Sequence, residues 1–419
     1  MHKLFLLFGF LLLSLPAWAQ RNPSFPEAGA PRDTIMRSYQ LDSVEVIPQS
    51  EQIKGMLLLN RDIQLELGGA VDNMYNFKFA LAERQFRSLK RRYPEHPLPY
   101  FLLGLSEWWK IVPTNIQTTR YDDSFFAYMD STVHFAERLY KTDNTNFEAS
   151  FFLAAAYGFQ ARLHSERSNW RKATVASKRS LEYLEKSKVG NDLSPEFLFG
   201  EALRNYYAVW IHENYALLRP VLAFFDKGNK QQGIQQLRYV AENGFYTGTE
   251  AKMFLMKILA NEENNPDGAM SVSRQLAHNY PDNAYFQRFY ARLTFIDGNF
   301  AEAERLARDI LAKIDRRMPG YEAISGRYAA YILGYLYENK HKDLAQAKAY
   351  YHQSIGFAEQ TNETDSGYFI FSHLHLARIH DREKNVPQAK EHYTIVKKAA
   401  DRKSEAFKEA NEYLRKNLR

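Results

Sequence analysis

Residues Ala269 to Asp315 read AMSVSRQLAHNYPDNAYFQRFYARLTFIDGNFAEAERLARDILAKID, and the stretch answers itself at an offset of 34 residues. Ala269 returns as Ala303, Ser273 as Ala307 and Leu276 as Ile310, while Pro281 corresponds to Asp315. Self-similarity at this period marks helix–turn–helix units that stack into a solenoid. One helical hairpin has too little apolar face to bury alone. It needs a neighbour on each side, and small residues at fixed places let the helices approach. The fold expected from this stretch is all-α.

The register extends in both directions. Downstream, Tyr290, Ala291, Ala303, Ala307 and Ile310 form one repeat, and Leu333, Gly334, Tyr337, Ala347 and Tyr351 the next. Leu376, Ala377, His380, Ala389 and Tyr393 form a further one, and Ser404–Leu418 reads as a charged amphipathic cap. Upstream, Ala82, Phe86, Leu89 and Pro94 match a second helix, and Tyr100, Leu103 and Gly104 the following first helix. A break with Pro113 covers Val112 to Asp123, after which Ala136, Leu139, Leu153, Ala154 and Tyr157 resume the phase, with a partner helix from Trp170 to Lys186. Ser194-Pro195-Glu196 opens a helix with a side-chain cap, a proline at the first position and an acid in the first turn. Near the start, Ile53, Met56, Leu57, Ile63 and Leu67 recur at helical spacing, and Gly68-Gly69 is expected to stop that helix.

Between Phe197 and Leu259 the pattern is least regular. Tyr206-Tyr207, Trp210, Leu217-Leu218 and Phe224-Phe225 make it strongly apolar, and Pro220 must kink or end a helix. Gly233, Leu237 and Val240 could form a degenerate second helix. The segment reads either as an irregular hairpin buried in the solenoid or as a hydrophobic insertion that contacts a partner or a membrane surface.

These positions resemble the tetratricopeptide repeat family, over most of Met74 to Leu418 and most specifically from Ala269 to Val396. Asn205-Tyr206-Tyr207 and the Gly233–Gly244 stretch are similar to a bacterial exported repeat family. The resemblance implies a right-handed superhelical solenoid whose concave face, lined by first helices, binds proteins or peptides. It implies no catalytic residues and no cofactor.

The chain begins apart from the fold. Leu4–Leu15 is an almost continuous apolar run after His2 and Lys3, and Ala17-Trp18-Ala19 supplies a small-x-small cleavage pattern, so residues 1–19 read as a signal peptide cut between Ala19 and Gln20. The run is short for a membrane span, which needs about 20 apolar residues. The expectation is an exported chain, periplasmic, envelope-associated or secreted, with no stable transmembrane segment after cleavage. Residues 20–51 read as a proline-interrupted tether, 52–260 as degenerate repeats with an irregular insertion, and 261–419 as regular repeats with a C-terminal capping helix.

Composition agrees with packed helices. Apolar residues make up 45% of the 419 positions, and 27 Tyr and 29 Phe offer rings to fill inter-helix gaps. The chain has no cysteine, so neither disulfides nor a thiol nucleophile enter. Loss of Lys3 with the leader lowers the formal charge of +6 by one, and the charges are interspersed rather than gathered into the basic face that nucleic acid requires.

Catalytic motifs fail on inspection. His212-Glu213 lacks the second histidine of a zinc-protease helix, and Gly228 and Gly233 have phosphate-loop spacing but are followed by Ile234-Gln235. No Gly-x-Ser-x-Gly elbow exists. The pairs Asp122-Asp123 and Glu262-Glu263 read as loop charges. His373, His375 and His380, with His392 on the paired helix, could hold zinc, or could simply pack as bulky rings. An enzyme would need a site of scattered residues.

The inner face is where binding is expected. Phasing puts Tyr285, Arg288 and Arg292 inward on one first helix, Tyr328, Tyr331 and Tyr335 on the next, and Phe371 and Arg378 on the last. Tyr and Arg often carry binding energy because they join apolar area to hydrogen-bonding ends. The tyrosines could equally fill the superhelix interior. The expected function is a non-catalytic envelope scaffold that takes a protein or peptide in its groove; the alternative is a structural subunit docking through 197–259.

Overall fold

The structure, a computed structural model, describes residues 55–215 and 227–417. The expected leader with Ala19 and Gln20, the tether, and Leu217, Leu218, Pro220, Phe224 and Phe225 lie outside the described residues.

Helices α1 (Arg61–Tyr75), α2 (Phe79–Arg92), α3 (Pro97–Ile111), α4 (Asp122–Thr142), α5 (Phe147–Glu166), α6 (Trp170–Ser187), α7 (Pro195–Asn214) and α8 (Lys230–Asn243) form four successive hairpins. Helices α9 (Gly248–Asn261), α10 (Pro266–Asn279), α11 (Ala284–Ile296), α12 (Phe300–Asp315), α13 (Ala323–Asn339), α14 (Leu344–Gln360), α15 (Gly367–Arg382) and α16 (Val386–Ala399) form four more, and α17 (Glu405–Lys416) ends the stack. The fold is an all-α solenoid of tetratricopeptide-like helical hairpins, with no strand among the described residues.

Local chemistry sets the helix ends. Asn60, Asn146, Asn229, Asn265, Asn283, Asn299, Asp343, Ser366, Asn385 and Ser404 each accept a first-turn backbone N–H through the side chain, which satisfies a donor the helix leaves orphaned. Packing then chooses the faces. Ala303, Ala307 and Ile310 are buried along α12, and Ala347, Tyr351 and Ala358 along α14, as the sequence phase requires.

Two glycines mark the tightest crossings. A methyl group on Gly334 of α13 would lie 2.7 Å from the Tyr351 ring of α14. On Gly233 of α8 it would lie 2.7 Å from the Tyr206 backbone nitrogen and 2.8 Å from the Ala202 carbonyl of α7. Leu237 and Val240 are buried on the same helix. Gly233 thus takes the small-residue place of an ordinary second helix.

The first helix differs from expectation. It starts at Arg61, capped by Asn60, and runs straight through Gly68-Gly69 to Tyr75. Nothing lies within 4 Å of the position a Gly69 side chain would occupy. Leu67, Ala70, Val71 and Met74 are all buried, and that packing holds the helix where propensity alone would break it. The stop comes at Phe77, which adopts a left-handed φ of 59°.

A solenoid repeat normally touches only its neighbours. Here the stack also curls onto itself. The Asn283 side chain donates to the Tyr75 carbonyl at 2.7 Å, and Asp282 N–H donates to Asn76 Oδ1 at 2.8 Å. The loop that reads as a sequence break is the other half of this clasp. Arg288 donates to the Pro113 carbonyl at 2.9 Å and to Asn115 Oδ1 at 3.2 Å. Gln117 and Asn115 donate to Glu363 at 2.9 and 3.3 Å, and Arg327, almost wholly buried, forms an ion pair with the same carboxylate.

Candidate functional site

The curl encloses a chamber of about 520 Å³. Its wall comes chiefly from first helices: α3, α5, α7, α9, α11 and one residue of α13, with a contribution from α6. Aromatic and aliphatic side chains such as Phe101, Leu105, Phe159, Leu203 and Met253 make most of the wall.

Charge gathers where α5 and α9 finish. Helix α9 turns Glu250, Met253, Phe254, Lys257 and Asn261 to the chamber, the i, i+3, i+4, i+7 stripe of one helical face. Arg162 and Glu166 at the end of α5 form an ion pair at 2.7 Å. Burial, and then the nearby Arg162, pull the Lys257 amine down to about 8. No hydrogen bond or ion pair reaches that amine among the described residues. Tyr285 is pushed up to about 12 by burial, and Tyr207 is raised for the same reason.

Glu250 sits deeper, 4% exposed. It accepts the Trp109 indole N–H at 2.7 Å and the Tyr75 hydroxyl at 3.4 Å. Burial outweighs these bonds and raises its carboxyl to about 7. Glu196, the acid expected to favour a helix N-terminus, does further work: its carboxylate accepts the N–H groups of Phe245, Tyr246 and Thr247 and so fixes the turn before α9.

The eight inner-face residues read from the sequence fall into three places. Tyr285, Arg288, Arg292 and Tyr328 line the chamber. Arg288 is buried, with Pro113, Asn115 and Ser325 as acceptors, so it clasps the fold. Tyr331 is 0% exposed, edge-on to Phe295 and Tyr368 with ring centroids at 6.2 and 4.9 Å. It is core, and offers no surface to a partner. Tyr335 and Phe371 are half-buried on α13 and α15, and exposed Arg378 pairs with Glu409 of the cap.

The histidines divide. His375 leaves the group, pairing with Glu338 at 2.8 Å. His373 and His392 share a hydrogen bond between their Nδ1 atoms at 2.9 Å, and His380 stacks on His392 with centroids 5.6 Å apart. Burial lowers His373 to about 3 and His392 to about 4. Among the described residues no group of three or more histidines and carboxylates is arranged to hold a metal ion. The acidic pairs are not free loop charges. Asp122 begins α4 and pairs with Arg167 at 2.6 Å, and Glu263 accepts the Tyr206 hydroxyl at 2.6 Å.

Lys257, Glu250 and Arg162 escaped the sequence reading. Their only signal is a helical stripe mixing charge with Met253 and Phe254, in a helix outside the clean repeat phase.

No family model matches the chain. No curated protein matches it either. Among solved structures, the human IFIT1 dimer with m7Gppp-AAAA aligns at 14% identity and a TM-score of 0.40, covering 81% of this chain and 67% of that one. The TPR domain of P58(IPK) aligns at 12% identity and 0.25, covering 85% and 99%. Yeast Tom70 aligns at 12% identity and 0.24, covering 85% and 96%. These are likenesses of fold.

Proposed function

We propose that this protein is a non-catalytic binding scaffold, exported to the cell envelope and working in the periplasm, that engages a protein or peptide partner on the inner face of its solenoid. One observation supports the reading: Tyr285, Arg292, Tyr335, Phe371 and Arg378, which the repeat phase assigns to that face, keep accessible surface on the first helices α11, α13 and α15. Rings flanked by guanidinium groups are the residues that anchor polypeptide partners. Export rests on the Leu4–Leu15 run followed by Ala17-Trp18-Ala19.

The test is crosslinked capture from the native envelope fraction, comparing the wild type with an Arg292→Glu, Arg378→Glu double variant whose fold is checked by circular dichroism. A partner lost only from the variant supports the inner face. A partner kept by both removes that face from the reading, and no partner at all removes the scaffold.

A further inference from the structure

We propose that the chamber holds a single-tailed amphiphile, its unbranched apolar chain lying among the rings of α3, α5 and α7 and its terminal carboxylate meeting the Lys257 amine. This goes beyond the scaffold reading and needs no polypeptide partner.

Size sets the class of ligand. A chamber of about 520 Å³ lies within the roughly 300–1,000 Å³ range of small-molecule sites, and is far too small for a folded domain. The wall then separates a hydrocarbon chain from a peptide. A peptide brings an N–H and a C=O at every residue, and each costs free energy when buried without a partner. Phe101, Leu105, Phe159 and Leu203 present no donor or acceptor from their side chains, and polar groups such as Ser180 and Thr247 are the minority of the wall. A methylene chain has no such groups to satisfy.

The polar end selects the head group. Among the described residues four cations line the chamber: Arg162, Lys257, Arg288 and Arg292. Arg162 is matched by Glu166, and Arg288 is held by a carbonyl, an amide and a hydroxyl. Arg292 lies beside Tyr368 and acts on its hydroxyl through space. Of the remaining carboxylates, Glu250 is engaged by Trp109 and Tyr75, and Glu262 also lines the chamber. Among the described residues no carboxylate bonds the Lys257 amine, which lines the chamber and which Glu166, Glu262 and Glu250 influence only through space. Burial disfavours such a charge, and a carboxylate brought by the ligand would complete the pair.

The experiment uses the purified, delipidated protein titrated with cis-parinaric acid, a fluorescent long-chain carboxylic acid. Its methyl ester and an apolar peptide with a free C-terminus are the comparison probes. Wild type should bind the acid more tightly than the ester. Lys257→Met should weaken the acid by roughly tenfold or more, the worth of one charge-assisted bond, and leave the ester unchanged, while Lys257→Arg should restore the preference. Ala155→Trp, which fills the chamber, should remove both, with circular dichroism confirming its fold. No binding of the acid overturns the proposal, as does binding of the peptide in its place. Equal weakening of acid and ester by Lys257→Met overturns the head-group assignment. None of these results depends on capture of a partner, so the scaffold reading stands or falls separately.

Discussion

The indole N–H of Trp109 donates to the buried Glu250 carboxylate at 2.7 Å, joining the second hairpin to the fifth across the interior. The carboxyl is raised to about 7 by burial. A folded-state pKa above the unfolded value means that the folded chain holds the proton more tightly. The stabilisation is complete below about pH 4.5 and is lost as pH rises through about 7. With each unit worth about 1.36 kcal/mol, the loss is on the order of 3 kcal/mol. Glu250→Gln keeps an acceptor for Trp109 and removes the titration. Urea midpoints measured at about pH 5 and pH 8 should fall for wild type and stay level for the variant, apart from other groups common to both. Parallel pH profiles would refute the assignment.

Gly334 and Gly233 test the helix crossings. Tyr351, which faces Gly334, cannot swing away, because it is fully buried and its hydroxyl donates to Glu338 at 2.8 Å. Gly233 faces main chain, which yields less still. Gly334→Ala and Gly233→Ala should each destabilise by about 1–3 kcal/mol, although alanine is the better helix former by about 1 kcal/mol. Gly69→Ala, with open space beside it, should stabilise by roughly that amount. Chemical denaturation of the three variants settles the order.

Acid should attack the last full hairpin first. His373 and His392 are held neutral, at about 3 and about 4, whereas an unfolded histidine titrates near 6.5. Their contribution is whole above about pH 6.5 and is lost as pH falls through the folded values. His352 and His380 face the same pair, with Lys348, Glu383 and Glu391 near them. A His392→Leu variant should lose less stability than wild type between about pH 6.5 and pH 4. Hydrogen exchange at acid pH should show α15 and α16 opening before α11 and α12; uniform opening would contradict this.

Asn283 serves two structures at once. Its Oδ1 accepts the N–H groups of Tyr285 and Phe286 at 3.0 and 3.1 Å, capping α11, and its amide donates to the Tyr75 carbonyl at 2.7 Å. Asn283→Ala removes the cap, worth about 0.5–2 kcal/mol, and strands a buried carbonyl, worth about 1–3 kcal/mol. Asn283→Asp keeps the cap but cannot donate. Its equilibrium unfolding near neutral pH should therefore fall between wild type and alanine.

The solenoid was legible because its period is local. Ala269, Ala303, Ala347 and Ala389 each mark a second helix whose small face must meet a first helix, and all four are 0% exposed. The chamber was not legible, because it depends on curvature summed over several hairpins and on bonds such as Arg288 to Pro113. Helical phase also gives the direction of a side chain but not its depth. Tyr331 and Tyr335 share a face one turn apart, yet one is sealed in the core and the other half-buried. Gly68-Gly69 misled for a related reason: a pair of glycines lowers helix propensity, but four buried neighbours outweigh it.

The clasp between the Pro113 loop and α11 has a consequence for how this chain can change. An open solenoid can gain or lose a hairpin by duplication or deletion, since each unit meets only the next. Here an extra unit placed between α3 and α11 would carry Arg288 away from Pro113 and Asn283 away from Tyr75. The number of hairpins between those points is therefore fixed by geometry. Length variation among descendants of this sequence should be confined to the segment before α1 and to the C-terminal end beyond α15.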